Sequence, residues 1–238
     1  MRRFLVKNDI IRVELSKKPL ISLTNRLKRI EFSKNNLEKG PEFWGRVVWS
    51  DETMIKSNPK HQKQFYKLHS SIPRKNRPVN SKFQNVGPSV MFWGCFYEGG
   101  LGPLVPFEGK LNSEKYINLL KEYFIPFLRQ EHPDLIFMQD NSPVHTSRLS
   151  SQFLRDQSIE TLSWPPQSPD LNPIENLWSI LKRKRIKKFG HAKTKNELID
   201  QVQQIWSDFQ TETRVNLSHS IEKRLPEVLK NKGGPIDY

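Results

Sequence analysis

The sequence predicts an α/β fold, a mixed sheet covered by helices, on three observations. Short β-branched and aromatic runs come first, RVVWSDETMIK at 46–56 and VMFWGCFY at 90–97. Strand–helix alternation takes over after about residue 112. Hydrophobic residues make up 35% of the 238, gathered into periodic segments that suffice for a sizeable core. That length suits one large domain, or one domain with an extension. No internal repeat or low-complexity tract breaks the pattern.

The elements follow in order. Residues 1–22 are basic and carry little pattern; they read as an arm or linker. From 24 to 38, Leu27, Ile30 and Leu37 recur at helical spacing and predict an amphipathic helix. The strand at 46–56 leads to Asp51 and Glu52. Residues 57–88, rich in Lys, Asn, Ser and Pro, predict a hairpin or loop. The strand at 90–97 turns through Gly99-Gly100 into another short strand within 98–109. Asn112 and Ser113 open a helix whose apolar face is Tyr116, Leu119, Leu120, Tyr123, Phe124 and Phe127. DLIFMQD (134–140) is a strand ending on Asp140; a helix over 146–157 and a strand at 159–163 follow. WPPQSPDLNP (164–173), with four prolines, must be extended and stiff. The next helix carries Ile174, Leu177, Trp178 and Leu181 on one face. Thr194 and Glu197 spell a capping box for a helix bearing Leu198, Val202, Ile205, Trp206 and Phe209. A last helix over 217–231 stops at Gly233-Gly234.

Charge narrows the partner. Thirty-nine Lys and Arg against 25 Asp and Glu give a net charge of +14 and a pI near 9.9. That imbalance favours a polyanion, nucleic acid ahead of a membrane surface. The longest apolar run, SVMFWGCFY (89–97), is too short to span a bilayer, so no membrane partner is expected. No signal sequence is visible after Met1-Arg2-Arg3, which points to an intracellular protein. Cys95 is the sole cysteine, which excludes an internal disulfide and a multi-cysteine zinc site.

Three acids share a context suited to chemistry. Asp51 and Asp140 end apolar strand runs, and Glu175 lies in the first turn of a helix after a stiff loop. Acids on firm elements can converge at one sheet edge, and converging carboxylates are tolerated when a cation neutralises them. Mg2+ suits such oxygen ligands, and two ions can serve an in-line phosphoryl displacement. Each acid also has a plainer reading: Asp51 and Asp140 as turn formers, Glu175 as the far half of a capping box with Asn172. Spacing does not separate Asp51 from Glu52. Pattern alone leaves these alternatives open.

The wording around the acids adds to this. VVWSDET (47–53), SVMFWGC (89–95), MQDNSPVHTS (138–147), WPPQSPDLNPIENLWSILK (164–182) and LPEVLKNKGGPIDY (225–238) closely resemble the Tc/mariner superfamily of cut-and-paste DNA transposases. The interval of 34 residues between Asp140 and Glu175, with glutamate third, is the pattern of the Tc branch; the mariner branch carries aspartate there. The resemblance covers about residues 17–238. It implies a ribonuclease-H-like mixed sheet flanked by helices, with Asp51, Asp140 and Glu175 as catalytic ligands of two Mg2+ (or Mn2+) ions and Glu52 a neighbour. It implies DNA strand cleavage and 3′-hydroxyl strand transfer, transposon ends and target DNA as partners, integration at TA dinucleotides, and a nuclear location.

Asn141 and His145 match the family's DN-x-P-x-H wording and are expected around the ligands; His145 is equally readable as a structural histidine beside Pro143. Cys95 and Trp93 are expected in the core. The basic run Lys182, Arg183, Lys184, Arg185, Lys187 and Lys188 reads as a solvated helix end, a phosphate track or a nuclear import signal. The sequence leaves open whether two copies form a homodimer. Full-length family members carry two helix-turn-helix modules first, whereas only the basic arm 1–22 stands before the expected catalytic domain at 23–238. Recognition of transposon ends is therefore expected to be absent or supplied in trans. The alternative function is a truncated or adopted relic that binds DNA without cutting.

Overall fold

Alternating side chains along four strands build one mixed sheet in the computed structural model, which describes residues 21–57, 87–131 and 134–237. The strands are β1 (Val47–Lys56), β2 (Ser89–Phe96), β3 (Leu101–Phe107) and β4 (Ile136–Met138), in the order β3-β2-β1-β4. β1 pairs antiparallel with β2 and parallel with β4, and β2 pairs antiparallel with β3. Successive apolar residues in β1 and β2 require cover on both faces. Val47, Trp49, Ile55, Phe92 and Phe96 face one core, and Val48, Trp93 and Cys95 face the other.

The first core is covered by α1 (Leu23–Asn36), α2 (Pro41–Gly45), α7 (Pro173–Phe189), α8 (Lys195–Ser207) and α9 (Thr211–Lys230). The second lies under α3 (Ser113–Leu119), a π-helical turn (Leu120–Phe124), α4 (Ile125–Glu131), α5 (Pro143–Thr146) and α6 (Arg148–Asp156). Ile174, Leu177, Trp178 and Leu181 of α7 are all buried, as their spacing predicts. Trp178 seats on the sheet because Gly94 of β2 has no side chain: a Cβ there would stand 2.7 Å from the indole. Gly94 is the register partner of Asp51, so this close approach brings α7 beside that acid. Truncating Trp178 to Ala would cost about 3–5 kcal/mol.

Several expectations shift. The α1 helix forms, but with its phase turned: Arg29, Phe32, Ser33 and Asn36 are buried, while Leu27 and Leu37 are 59% and 47% exposed. Of the predicted stripe after Asn112, Tyr116, Leu119, Leu120 and Phe124 are buried and Phe127 is half-buried, while Tyr123 turns outward. Ile125 and Leu128 join the core outside the stripe. Pro126 explains the slip. It has no N–H and would strike a carbonyl of a regular helix, so the chain widens into a π turn closed by Ile125 N–H on Leu120 O.

The helix predicted over 146–157 forms as α6, capped by the Ser147 hydroxyl through Ser150 N–H, and a short helix, α5, precedes it. The strand predicted at 159–163 shrinks to one parallel bridge between Thr161 and Phe137, stopped by Trp164-Pro165-Pro166. The stiff segment 164–173 ends in a 3-10 turn, Pro169–Leu171, and the last helix starts at Thr211, not 217. The arm 1–22 and the loop 57–88 lie almost wholly outside the described residues, and no described helix is long and apolar enough to cross a membrane.

Candidate active site

Ser50 ties together the elements that carry the three acids. Its hydroxyl donates to the Met138 carbonyl at 2.7 Å, holding the end of β4 against β1 two residues before Asp140. Its own carbonyl accepts from Asn172 Nδ2 at 3.1 Å, and Asn172 is the N-cap of α7. One turn into α7 stands Glu175. The residue after Ser50 is Asp51, so short polar links converge beside it from β4 and α7. Nothing in the local sequence marked Ser50; its role depends on two partners more than 85 residues away in the chain.

Asp51 lies in the interior of β1, the fifth of its 10 residues, and not at a strand end. Asp51 and Glu52 therefore point to opposite faces. Asp51 shares its face with Thr53 and α7. There Lys182, two turns after Glu175, donates to Thr53 Oγ1 at 2.7 Å. Glu52 shares the other face with His145, which is 3% exposed and lies against the Tyr116 ring at 4.4 Å between centroids. His145 Nδ1 meets Asp140 Oδ1 at 2.7 Å and Nε2 meets Glu52 Oε1 at 3.1 Å. Asp140 Oδ1 also accepts the Ser142 N–H at 2.9 Å.

The electrostatics of the two faces differ. Burial, then the negative charges of Glu175, Glu52 and Asp140, push Asp51 up to about 8. Burial raises Glu175 as well, with Lys182 opposing, although its carboxylate still reaches solvent. Burial lowers Lys182 while Glu175 and Asp51 pull it back up. Against this, burial would lift Asp140, but hydrogen bonds from His145 and Ser142 outweigh it and hold the acid below its ordinary value. Burial would depress His145, yet its bonds to Asp140 and Glu52 raise it to about 9. His145 is thus an imidazolium at neutral pH, donating from both ring nitrogens.

The capping-box alternative for Glu175 is not realised. Asn172 caps α7 through Ile174 N–H, and the Asn172 N–H is already taken by the Pro169 carbonyl at 3.1 Å. Thr194 does cap α8 through Glu197 N–H at 3.1 Å, but Glu197 returns to the Lys193 N–H instead of the cap. Asn141 turns away from the acids and donates to the Trp164 carbonyl at 2.8 Å.

The basic run divides. Arg185 is buried, 1% exposed, and clamps the carbonyls of Lys56, Ser57 and Gly190 together with Gln201, so it is not available to a phosphate. Lys182 faces the acids, Lys184 stands 4.9 Å over the Phe209 ring, and Lys188 pairs with Asp208 at 3.0 Å. Arg183 and Lys187 are left outward.

Asp51, Asp140 and Glu175 form an all-oxygen set in which Asp51 feels both other acids, which fits a hard divalent cation. Among the described residues no three His, Cys, Asp or Glu side chains are grouped closely enough to hold a metal ion.

The comparisons agree with this arrangement. Residues 46–199 match the DDE superfamily endonuclease family. The Tc3 transposase of Caenorhabditis elegans is 34% identical over 230 residues, 96% of this chain and 68% of that protein. The Tcb1 transposase of Caenorhabditis briggsae is 33% identical over 232 residues, 93% of this chain and 81% of that protein. Among solved structures, the Mos1 transposase paired-end complex with the left transposon end superposes with a TM-score of 0.81 at 19% identity, covering 99% of this chain and 70% of that one. The Mos1 transposase catalytic domain with raltegravir and Mn gives 0.72 at 16% identity, covering 92% of this chain and all of that one. The fold is thus the ribonuclease-H-like mixed sheet flanked by helices. With the matched family spanning most of the described sheet and site, the chain belongs to the DDE superfamily endonucleases, as a catalytic domain homologous to the cut-and-paste Tc/mariner transposases.

Proposed function

We propose that this chain cleaves DNA phosphodiester bonds and transfers 3′-hydroxyl ends to target DNA, with Asp51, Asp140 and Glu175 holding two divalent ions, Mg2+ or Mn2+. The observation that carries the reading is that Ser50, next to Asp51, ties the end of β4 and the N-cap of α7 to β1; Asp51, raised to about 8 by burial and then by Glu175, Glu52 and Asp140, feels the acids of both. Uncompensated carboxylates of this kind are costly, and a cation relieves them. When bound, such ions polarise the phosphate, activate a water or 3′-hydroxyl and stabilise the leaving oxygen.

The chain's own residues prepare the site. Asp51 releases its proton as the site fills, while Ser50 and Asn172 keep β1, β4 and α7 in register. His145 fixes Asp140 by one oxygen and takes up the charge of Glu52, so that Glu52 does not compete as a ligand. Lys182 balances Glu175 and Asp51 from the α7 side. The net charge of +14 supports DNA as the polyanion bound, and the outward Arg183 and Lys187 support phosphate contacts and a nuclear location.

Nicking of supercoiled plasmid in Mn2+ tests the reading. Asp140→Asn is expected to abolish nicking while leaving DNA affinity nearly intact. Nicking by the variant at the wild-type rate would refute the assignment.

A further inference from the structure

Two arginines distant in sequence, Arg29 of α1 and Arg224 of α9, are 0% and 1% exposed. A buried guanidinium is tolerated only when its donors are matched. Here many of those partners lie in the segment that delivers Glu175. Arg29 forms a two-pronged pair with Asp170, Nη1 to Oδ1 and Nη2 to Oδ2, both at 2.7 Å. It also donates to Ser168 Oγ at 2.8 Å, to the Gln167 carbonyl at 3.2 Å, and to the carbonyls of Gly233 and Gly234 at 3.0 and 3.2 Å. Arg224 donates to the Asp170 carbonyl at 2.9 Å and to Asn176 Oδ1 at 2.7 Å, with Ser220 Oγ at 3.1 Å behind it. Asp170 Oδ2 further accepts the Ile236 N–H at 2.9 Å.

Glu175 therefore lies between two anchored points, Asp170 before it and Asn176 after it. Side-chain packing does not set its outer side, where a cavity of about 220 Å3 is bordered by Pro169, Asp170, Glu175, Asn176 and Ser179. Polar links take over where packing leaves space. The fork geometry of arginine suits this task, since one planar group reaches a carboxylate and several carbonyls in fixed directions. The turned phase of α1 has the same cause: its buried side is given to Arg29.

We infer that Arg29 and Arg224 are positioning residues for Glu175, acting through Asp170 and Asn176 to fix the angle at which α7 presents its first turn to Asp51. The inference rests on the reading of Glu175 as a metal ligand. Neither arginine touches reacting atoms. Through them the first described helix, the last helix and the chain segment 233–236 all bear on one carboxylate.

Asn176→Ala in the full chain is the test, since Asn176 is half-buried and its loss removes one acceptor while the Asp170 carbonyl and Ser220 Oγ still hold the Arg224 guanidinium. Mn2+ binding is followed by electron paramagnetic resonance, and single-turnover plasmid nicking is measured at saturating Mn2+. The expected result is Mn2+ affinity and nicking rate each lower by about tenfold, as for other groups that orient metal ligands, with DNA affinity unchanged. Val228→Ala, in the core side of α9, is the control for lost stability and is expected to lower Tm without moving Mn2+ affinity. Wild-type Mn2+ affinity in Asn176→Ala overturns the inference; should that variant fail to fold, the same result in Asp170→Asn does so. Wild-type nicking by Glu175→Gln would instead overturn the ligand reading beneath it.

Discussion

The two faces of β1 handle negative charge in opposite ways. On the α7 face, Lys182 is the cation that balances Asp51 and Glu175 among the described residues, and Asp51 rises to about 8. On the α3 face, Asp140 and Glu52 share the His145 imidazolium, and Asp140 falls below its ordinary value. Adjacent residues of one strand, Asp51 and Glu52, thus belong to different electrostatic environments because successive strand side chains point apart. Asp51 is left poorly balanced on one face, while on the other Asp140 is held by the cation of His145.

The strongest way to break this contrast is to neutralise each aspartate in turn. Both Asp51→Asn and Asp140→Asn are expected to reduce Mn2+-dependent nicking by about 10^3-fold or more, the scale of removing a group central to the reaction. Their stabilities should part. Without metal, Asp51→Asn removes an uncompensated carboxylate and raises Tm, at about 2–4 °C per kcal/mol relieved for a chain of this size. Asp140→Asn weakens a partner of His145 and lowers Tm, though modestly, because the Asp140 side chain is 51% exposed. Thermal melts in a chelator check both signs; equal shifts would erase the distinction between the faces.

A second substitution sharpens the α3 face. Glu52→Ala leaves His145 with one carboxylate partner and frees its ring to turn, so nicking should fall by about tenfold through misplacement of Asp140. Glu52→Gln keeps an oxygen that accepts from Nε2–H and should restore most of the rate. If alanine and glutamine behave alike, hydrogen bonding to His145 is not what Glu52 contributes.

Part of the site was legible in the sequence. Local patterns set Asp51, Asp140 and Glu175 where an apolar run ends or a helix starts, though turn and cap readings fitted as well, and the family wording singled them out. The buried face of α7 was legible too, since Ile174, Leu177, Trp178 and Leu181 repeat within one helix. What escaped was whatever depends on partners distant in sequence. Periodicity gave α1 the right period and the wrong phase, because Arg29 is driven inward by Asp170 and two glycine carbonyls more than 140 positions away. Arg185 looked like a DNA contact because a cation inside the basic run of α7 has no local mark of burial. The π turn hid behind a regular stripe whose one exception, Pro126, shifts everything after it by a residue.

Acidity offers a smaller and more graded test of the two faces. Asp51 is raised from an ordinary 3.8 to about 8, and His145 from 6.5 to about 9. A group with a raised folded-state pKa contributes stability that is present below its unfolded value and lost as pH climbs through the folded one. The metal-free protein should therefore lose Tm between about pH 4 and 8 through Asp51, and between 6.5 and 9 through His145. Asp51→Asn should flatten the lower range, and His145→Gln the upper. Mn2+ should stabilise more at pH 8 than at pH 6, because at the lower pH it must displace the Asp51 proton. A Tm that is flat from pH 5 to 9 in chelator would contradict both shifts.

The smallest effect separates the site from its surroundings along α7. Lys182 faces the acids, whereas Arg183 and Lys187 point outward and have no part in the Asp51 balance. Arg183→Ala and Lys187→Ala should each weaken DNA binding slightly and reduce the slope of log affinity against log salt by about one. Neither should move the pH dependence of Tm in chelator. Lys182→Ala should do the reverse, raising Asp51 and Glu175 further, since it deletes the cation that both acids feel. If Arg183→Ala or Lys187→Ala shifts the Asp51 range by as much as Lys182→Ala does, the charge deficit of the α7 face belongs to the whole helix and not to the space between Asp51, Glu175 and Lys182.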